Sequence, residues 1–139
     1  MEQLHNGFTL ELCQNAFPLS TDSIALSGFV RLPRQAKVLD LGSGCGTLGL
    51  LLCASDDTCN VTGVELDENA HNMALHNIKV NGLDARMSSI CADLKTIPHT
   101  LTPGSFHCCL SNPPYFTAGP QSVSHGTARH EQCCSLDEL

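Results

Sequence analysis

At 139 residues, with a formal charge of −7 from 14 acidic and 7 basic side chains, the chain has room for one domain with a single core. Its 42% hydrophobic content sets it apart from disordered chains, and its acidic balance excludes a free-standing nucleic-acid binder, whose affinity comes from Lys and Arg neutralising phosphates. The stretch from Met1 to Thr9 has no basic leader before an apolar run, and no apolar run reaches about 18 residues, so a cytoplasmic protein that makes no use of a membrane is the expectation.

In chain order, Ser20-Thr21-Asp22 reads as the cap of a first helix with an apolar face at Ala25, Phe29 and Leu32, stopped by Pro33. Lys37 to Leu41 is a buried strand that ends in the turn Gly42-Ser43-Gly44-Cys45-Gly46. A second helix follows from Thr47 to about Ala54, Asp56-Asp57 breaks it, and a second strand runs from Asn60 to Glu65. Asp67 caps a third helix that ends near Asn81-Gly82. Met87 to Cys91 and Phe106 to Leu110 read as the third and fourth strands, separated by a loop from Thr96 to Ser105. Strands alternating with helices imply right-handed parallel crossovers, hence an α/β fold with a mainly parallel sheet and helices on both faces. The expected organisation is one domain over residues 1–139, with 1–35 as an N-terminal capping segment.

Nine cysteines is an odd count, so they cannot all pair internally, and Cys45, Cys53, Cys91, Cys108 and Cys109 fall in or beside predicted strands and helices. Reduced thiols fit that placement better than disulfides. None is spaced as C-x-x-C, and the neighbours Cys108-Cys109 would point to opposite faces of a strand, so no metal site is expected. His71 and His76, five apart on a helix, face nearly opposite ways and read as solvated surface histidines.

Three signals carry chemistry. Gly42, Gly44 and Gly46 let the backbone bend sharply and allow a ligand to approach closer than a Cβ would permit; the bland alternative is a tight turn with no ligand. Glu65 closes the second strand 19 residues after Gly46, near the spacing at which a carboxylate meets a ribose diol in nucleotide-binding folds. Gly44 to Gly49 also satisfies the dinucleotide pattern G-x-G-x-x-G, so the turn alone leaves the cofactor open. The third signal is Asn112-Pro113-Pro114-Tyr115. The Asn112 amide oxygen and the Pro113 carbonyl can both accept hydrogen bonds from a planar NH2 group, while the Tyr115 ring, helped by Phe116, offers a face for stacking. Gly42, Glu65, Asp93 and Asn112 each follow a predicted strand, so all four should line one rim of the sheet.

With these residues in place the chain resembles the class I S-adenosylmethionine-dependent methyltransferases, a Rossmann-like fold. Val38 to Gly46 stands where the family's donor-binding loop lies, and Asn112 to Tyr115 matches its amino-methylating signature. Within that superfamily it looks most like bacterial tRNA adenine-N6 methyltransferases acting on a valine tRNA, through Phe17 to Asp22, Val61 to Asp67, Ser111 to Phe116, and Ala128-Arg129-His130-Glu131 before Cys134-Ser135-Leu136. The resemblance implies S-adenosyl-L-methionine as cofactor. It implies that Asp40 steadies the glycine loop, that Gly42 and Gly44, with Gly46 completing the turn, approach the methionine part, and that Glu65 holds the ribose. Asp93 would accept from the adenine amino group, Leu66 and Leu94 would sandwich the adenine, and Thr21 and Asp22 would close over the cofactor unless they serve only as a helix cap. Asn112, Pro113 and Tyr115 would form the catalytic set, with Asn112 also among the cofactor-binding residues.

The family's sheet has seven strands, whereas four can be placed here, so the expectation is a truncated chain whose C-terminal strands are missing. The last strand would then lie at an open edge suited to self-association, and tRNA binding would need basic surface from outside the chain. Three functions fit: adenine-N6 methylation of tRNA, methylation of a glutamine amide in a protein by the same Asn-Pro-Pro-Tyr logic, and a cofactor-binding remnant without catalysis.

Overall fold

Val38 to Leu41, followed by Gly42, and Val61 to Glu65, ending in a carboxylate, are mostly apolar, Met87 to Cys91 mixes Met, Ile and Cys with two serines, and each of the three forms a strand. A computed structural model of the chain describes residues 1–14, 16, 18–99 and 101–112. The described elements are β1 (Glu2–Gln3), β2 (Thr9–Leu10), α1 (Thr21–Phe29), β3 (Lys37–Leu41), α2 (Thr47–Ser55), β4 (Asn60–Glu65), α3 (Glu68–Val80), β5 (Met87–Cys91) and β6 (Cys108–Ser111), with short 3-10 helices at His5–Gly7 and Leu94–His99.

Strands β3 to β6 form a parallel sheet in the order β5-β4-β3-β6. Val38 pairs with Val61 on one side and Cys108 on the other, and Val61 pairs with Met87. Two crossovers of the same hand, β3 to β4 and β4 to β5, run in one direction and therefore place α2 and α3 on the same face. That face is built from Val38, Val61 and Met87, all at most 5% exposed. Close approach there depends on Gly49, where a Cβ would stand 2.7 Å from Met87 Cε and 3.2 Å from Val61 Cγ1. On the opposite face Leu39 and Thr62 are half-buried, and Ser88 and Cys109 are exposed.

Helix α2 is apolar all round, with Leu48 and Leu50 to Cys53 buried, because it lies between the sheet on one side and α1 with the N-terminal segment on the other. Its last carbonyls are taken up by Arg86, whose guanidinium donates to Cys53 O at 3.1 Å and Asp56 O at 2.9 Å. Ser20 caps α1 by accepting the Ser23 N–H at 3.2 Å, and Asp67 caps α3 through the N–H groups of Asn69 and Ala70.

Three local expectations are corrected. The inward face of α1 is not Ala25 and Phe29, which is 81% exposed; Ser23 is its buried residue, with Leu26 and Leu32 packed on the core. Periodicity marks an apolar stripe but not its orientation, which polar anchors at the first turn decide here. Strand β6 starts at Cys108 rather than Phe106, because His107 Nδ1 accepts the Lys37 N–H at 2.9 Å in place of a main-chain carbonyl. His71 is half-buried rather than solvated, with Nδ1 2.8 Å from Ser89 Oγ on β5. The seven described cysteines are free thiols, and no described helix is long and apolar enough to cross a membrane.

Candidate functional site

Parallel strands bring Gly42, Glu65, Asp93 and Asn112 to the same rim, the carboxyl ends of β3, β4, β5 and β6. The strand order reverses there: from β3 the chain builds outward through β4 and β5, then returns to place β6 on the other side of β3. Leu41 pairs with Ser111, so Gly42 and Asn112 leave the sheet side by side, and the Ser111 hydroxyl donates to Leu41 O at 2.9 Å. In an open α/β sheet this switch point is where ligands bind.

The loop after β3 turns through three left-handed glycines, with φ of 71° at Gly42, 57° at Gly44 and 89° at Gly46. The N–H groups of Gly42 and Ser43 both donate to Val64 O, at 2.9 and 3.0 Å, which staples the turn to β4. Among the described residues nothing but the chain neighbours lies within 4 Å of where a Cβ would stand on Gly42 or Gly44. Gly46 differs, since its Cβ would meet Met87 Cε at 2.9 Å and Ala74 Cβ at 3.6 Å, so contact with α3 and β5 adds to the left-handed φ in favouring glycine there.

Glu65 ties this loop to the next helix. Its carboxylate accepts the Gly44 N–H at 2.7 Å through Oε2 and the Asp67 N–H at 3.1 Å through Oε1. Burial raises its pKa, against the hydrogen bonds from Gly44 and Asp67, which favour the charged form. Beside it on the rim, the Ala92 N–H donates to Glu65 O at 3.0 Å, which brings the segment carrying Asp93 and Leu94 next to Glu65 and Leu66. Asp93 Oδ1 accepts the Lys95 N–H at 2.9 Å, Leu94 is half-buried, and Leu66 is 46% exposed. Thr21 and Asp22 sit exposed in the first turn of α1, where Ser20 rather than either of them supplies the cap.

Asp40 lies in β3 between Gly63 and Leu110, 2% exposed. Burial, and then the charge of Glu65, push its pKa up to about 7. The folded protein therefore holds a proton between about pH 4 and 7 that the unfolded chain releases, so this group costs stability as pH rises through that window. Asp40→Asn removes the cost. Its melting temperature relative to the parent should climb as pH goes from about 4 to about 8, and a gap that stays constant or narrows would contradict the assignment.

Asn112 follows β6 directly, and its Nδ2 donates to Ser23 Oγ on α1 at 3.1 Å. Pro113, Tyr115, Phe116 and the stretch from Ala128 to Leu136 lie outside the described residues.

Four contributors to the site were missed in the sequence. Ser23 is one. Ser43 and Gly63 form a pair, since a Cβ on Gly63 would stand 2.7 Å from Ser43 Oγ, a buried hydroxyl without a partner among the described residues; glycine inside a strand is the signal that could have marked it. Asn77 is the fourth, 1% exposed on α3. Its Oδ1 accepts the Glu11 N–H at 2.9 Å, and its Nδ2 donates to Glu11 O and to Cys45 O, each at 2.9 Å. One side chain thus holds the N-terminal segment and the glycine loop together. On the same segment Cys13 receives the Cys45 thiol at 3.6 Å, and burial pushes the Cys45 pKa up to about 12.

Residues 23–129 match the family described as the methyltransferase small domain. A tRNA1(Val) (adenine(37)-N6)-methyltransferase of Shewanella halifaxensis is 34% identical over 124 residues, covering 88% of this chain and 50% of that protein. The protein of the same name from Vibrio parahaemolyticus is 30% identical over 134 residues, covering 95% and 55%. The chain spans about half the length of the curated relatives it matches. An S-adenosyl-L-methionine-dependent methyltransferase from Thiobacillus denitrificans, solved with S-adenosyl-L-homocysteine, superimposes with a TM-score of 0.57 at 22% identity, over 68% of this chain and 37% of that one, a likeness of fold.

Proposed function

The chain belongs to the methyltransferase small domain family, and on that premise we propose that it transfers methyl groups from S-adenosyl-L-methionine to the exocyclic N6 amine of adenine in tRNA. The observation that carries this reading is the adjacency of the glycine loop and Asn112 at the β3/β6 switch point. A donor loop and an amine acceptor side by side serve transfer between two bound molecules. The names of the relatives supply the adenine and the tRNA.

The residues present fit the cofactor. Gly42 and Gly44 leave the space that a Cβ would fill, against which a ligand chain can lie. Glu65 keeps further lone pairs on both oxygens after accepting from Gly44 and Asp67, enough to receive a ribose diol without giving up the loop. Asp93 would take the adenine amino group, and Leu66 and Leu94, on adjacent segments after β4 and β5, would cover the two faces of the adenine. Asp40 steadies the loop from beneath, Gly46 keeps its seat against Met87, and Thr21 and Asp22 close from α1. When bound, S-adenosyl-L-methionine supplies an electrophilic sulfonium methyl.

On the acceptor side, an aromatic amine shares its lone pair with its ring and is a poor nucleophile. Hydrogen bonds from its protons to the Asn112 amide and the Pro113 carbonyl favour a pyramidal nitrogen with its lone pair aimed at the methyl, so positioning takes the place of a strong base. Tyr115 would stack an extruded base, a contact worth about 1 to 3 kcal/mol.

Isothermal titration tests the cofactor. S-adenosyl-L-methionine should bind with a measurable heat and a nicotinamide dinucleotide should not. Binding of the dinucleotide with no response to S-adenosyl-L-methionine would return Gly44 to Gly49 to its other reading and overturn the proposal.

A further inference from the structure

The single buried residue of α1 is polar. Ser23 is 7% exposed, and the groups around its hydroxyl come from two directions. Asn112 Nδ2 donates to Ser23 Oγ at 3.1 Å across a sequence separation of 89 residues, and the Ser20 hydroxyl donates to the same oxygen at 3.2 Å. Ser20 Oγ in turn accepts the Ser23 N–H at 3.2 Å, closing the helix cap. The cap of α1 and the side chain of Asn112 therefore share one pair of oxygens.

A primary amide has two ends of opposite hydrogen-bonding sense, and turning it over exchanges an acceptor for a donor. A planar amine that must give up both protons to acceptors is served by one orientation only. We propose that Ser23 is a positioning residue for Asn112: by taking the Asn112 N–H, it keeps the amide from turning over and so reserves the carbonyl end for the substrate amine. This inference rests on the proposed amine methylation. Ser23 touches no substrate atom; it acts through Asn112, and Ser20 acts through Ser23. Helix preference does not explain a serine here, since alanine favours the helix interior more. Packing does not explain it either, because what the buried oxygen meets is polar.

The test uses the full chain with Ser23→Ala and Ser23→Thr. With S-adenosyl-L-methionine and tRNA, Ser23→Ala should lower kcat by about tenfold while the cofactor dissociation constant stays within about twofold, and Ser23→Thr, which keeps the hydroxyl, should restore most of the rate. In protein labelled with 15N-asparagine, the Asn112 side-chain NH2 signals, identified by their loss in Asn112→Asp, should shift and exchange faster with solvent in Ser23→Ala, while those of Asn77 stay in place. A kcat within about twofold of the parent, parallel loss of kcat and cofactor affinity, or unmoved Asn112 amide signals would each overturn the assignment. A parent chain that transfers no methyl to tRNA would refute the amine-methylation reading instead, and the Asn112 amide signals would still decide for or against Ser23.

Discussion

Asn77→Ala is expected to lower the unfolding free energy by about 3 to 5 kcal/mol, because three hydrogen bonds are lost at a buried site and their backbone partners stay behind. Those partners are the Glu11 N–H, the Glu11 carbonyl and the Cys45 carbonyl, all at 2.9 Å from the amide. One turn later Asn81, at the C-terminal cap of α3, makes the same kind of link, accepting the Thr9 N–H at 2.8 Å and donating to Thr9 O at 2.8 Å, so one asparagine on α3 and one at its end pair with the N-terminal segment as a neighbouring strand would. Asn81 is the more exposed of the two, and Asn81→Ala should cost less. Urea unfolding followed by circular dichroism gives both values, and a loss under about 1 kcal/mol for Asn77→Ala would show that the N-terminal segment is held by other means. Because Cys45 sits in the glycine loop, the same substitution should also weaken cofactor binding.

Asn112→Ala should reduce methyl transfer by about 100-fold or more while leaving the cofactor dissociation constant within about threefold, since on the proposed reading the amide acts on the acceptor amine and Gly42, Gly44 and Glu65 hold the donor. The structure supports that separation, as Asn112 bonds to Ser23 on α1 while Glu65 bonds to Gly44 and Asp67. Methyl transfer and cofactor titration on the same preparation check it. Equal loss of both would mean that Asn112 is part of the cofactor's own seat.

The sheet was legible because β3 and β4 are mostly apolar runs with marked ends and β5 follows the helix stop at Asn81-Gly82. Lys37–Leu41, Asn60–Glu65 and Met87–Cys91 fall where expected, and α2 and α3 follow their own stop signals at Asp56 and Asn81. The N-terminal hairpin was not legible, since strands of two residues carry no period. His107 hid the start of β6 by substituting a ring nitrogen for a carbonyl, which no strand preference anticipates. At the rim, the glycines and Glu65 could be found because turn chemistry and spacing are local. Ser23 and Asn77 could not, because their partners lie 89 and 66 residues away and only the fold brings them together. Gly46 was correctly marked as a residue of the turn, where its φ of 89° favours glycine, but its contact with the Met87 methyl belongs to the packed core and was not legible.

A methyl-transfer assay with S-adenosyl-L-methionine radiolabelled on its methyl group, run on bulk tRNA and on protein substrates in parallel, bears most directly on the proposed activity. Label should enter the tRNA and be recovered as N6-methyladenosine after digestion. Label recovered on protein glutamine with none in RNA would transfer the Asn112 site to the amide substrate, and label in neither would contradict the activity proposed for this chain.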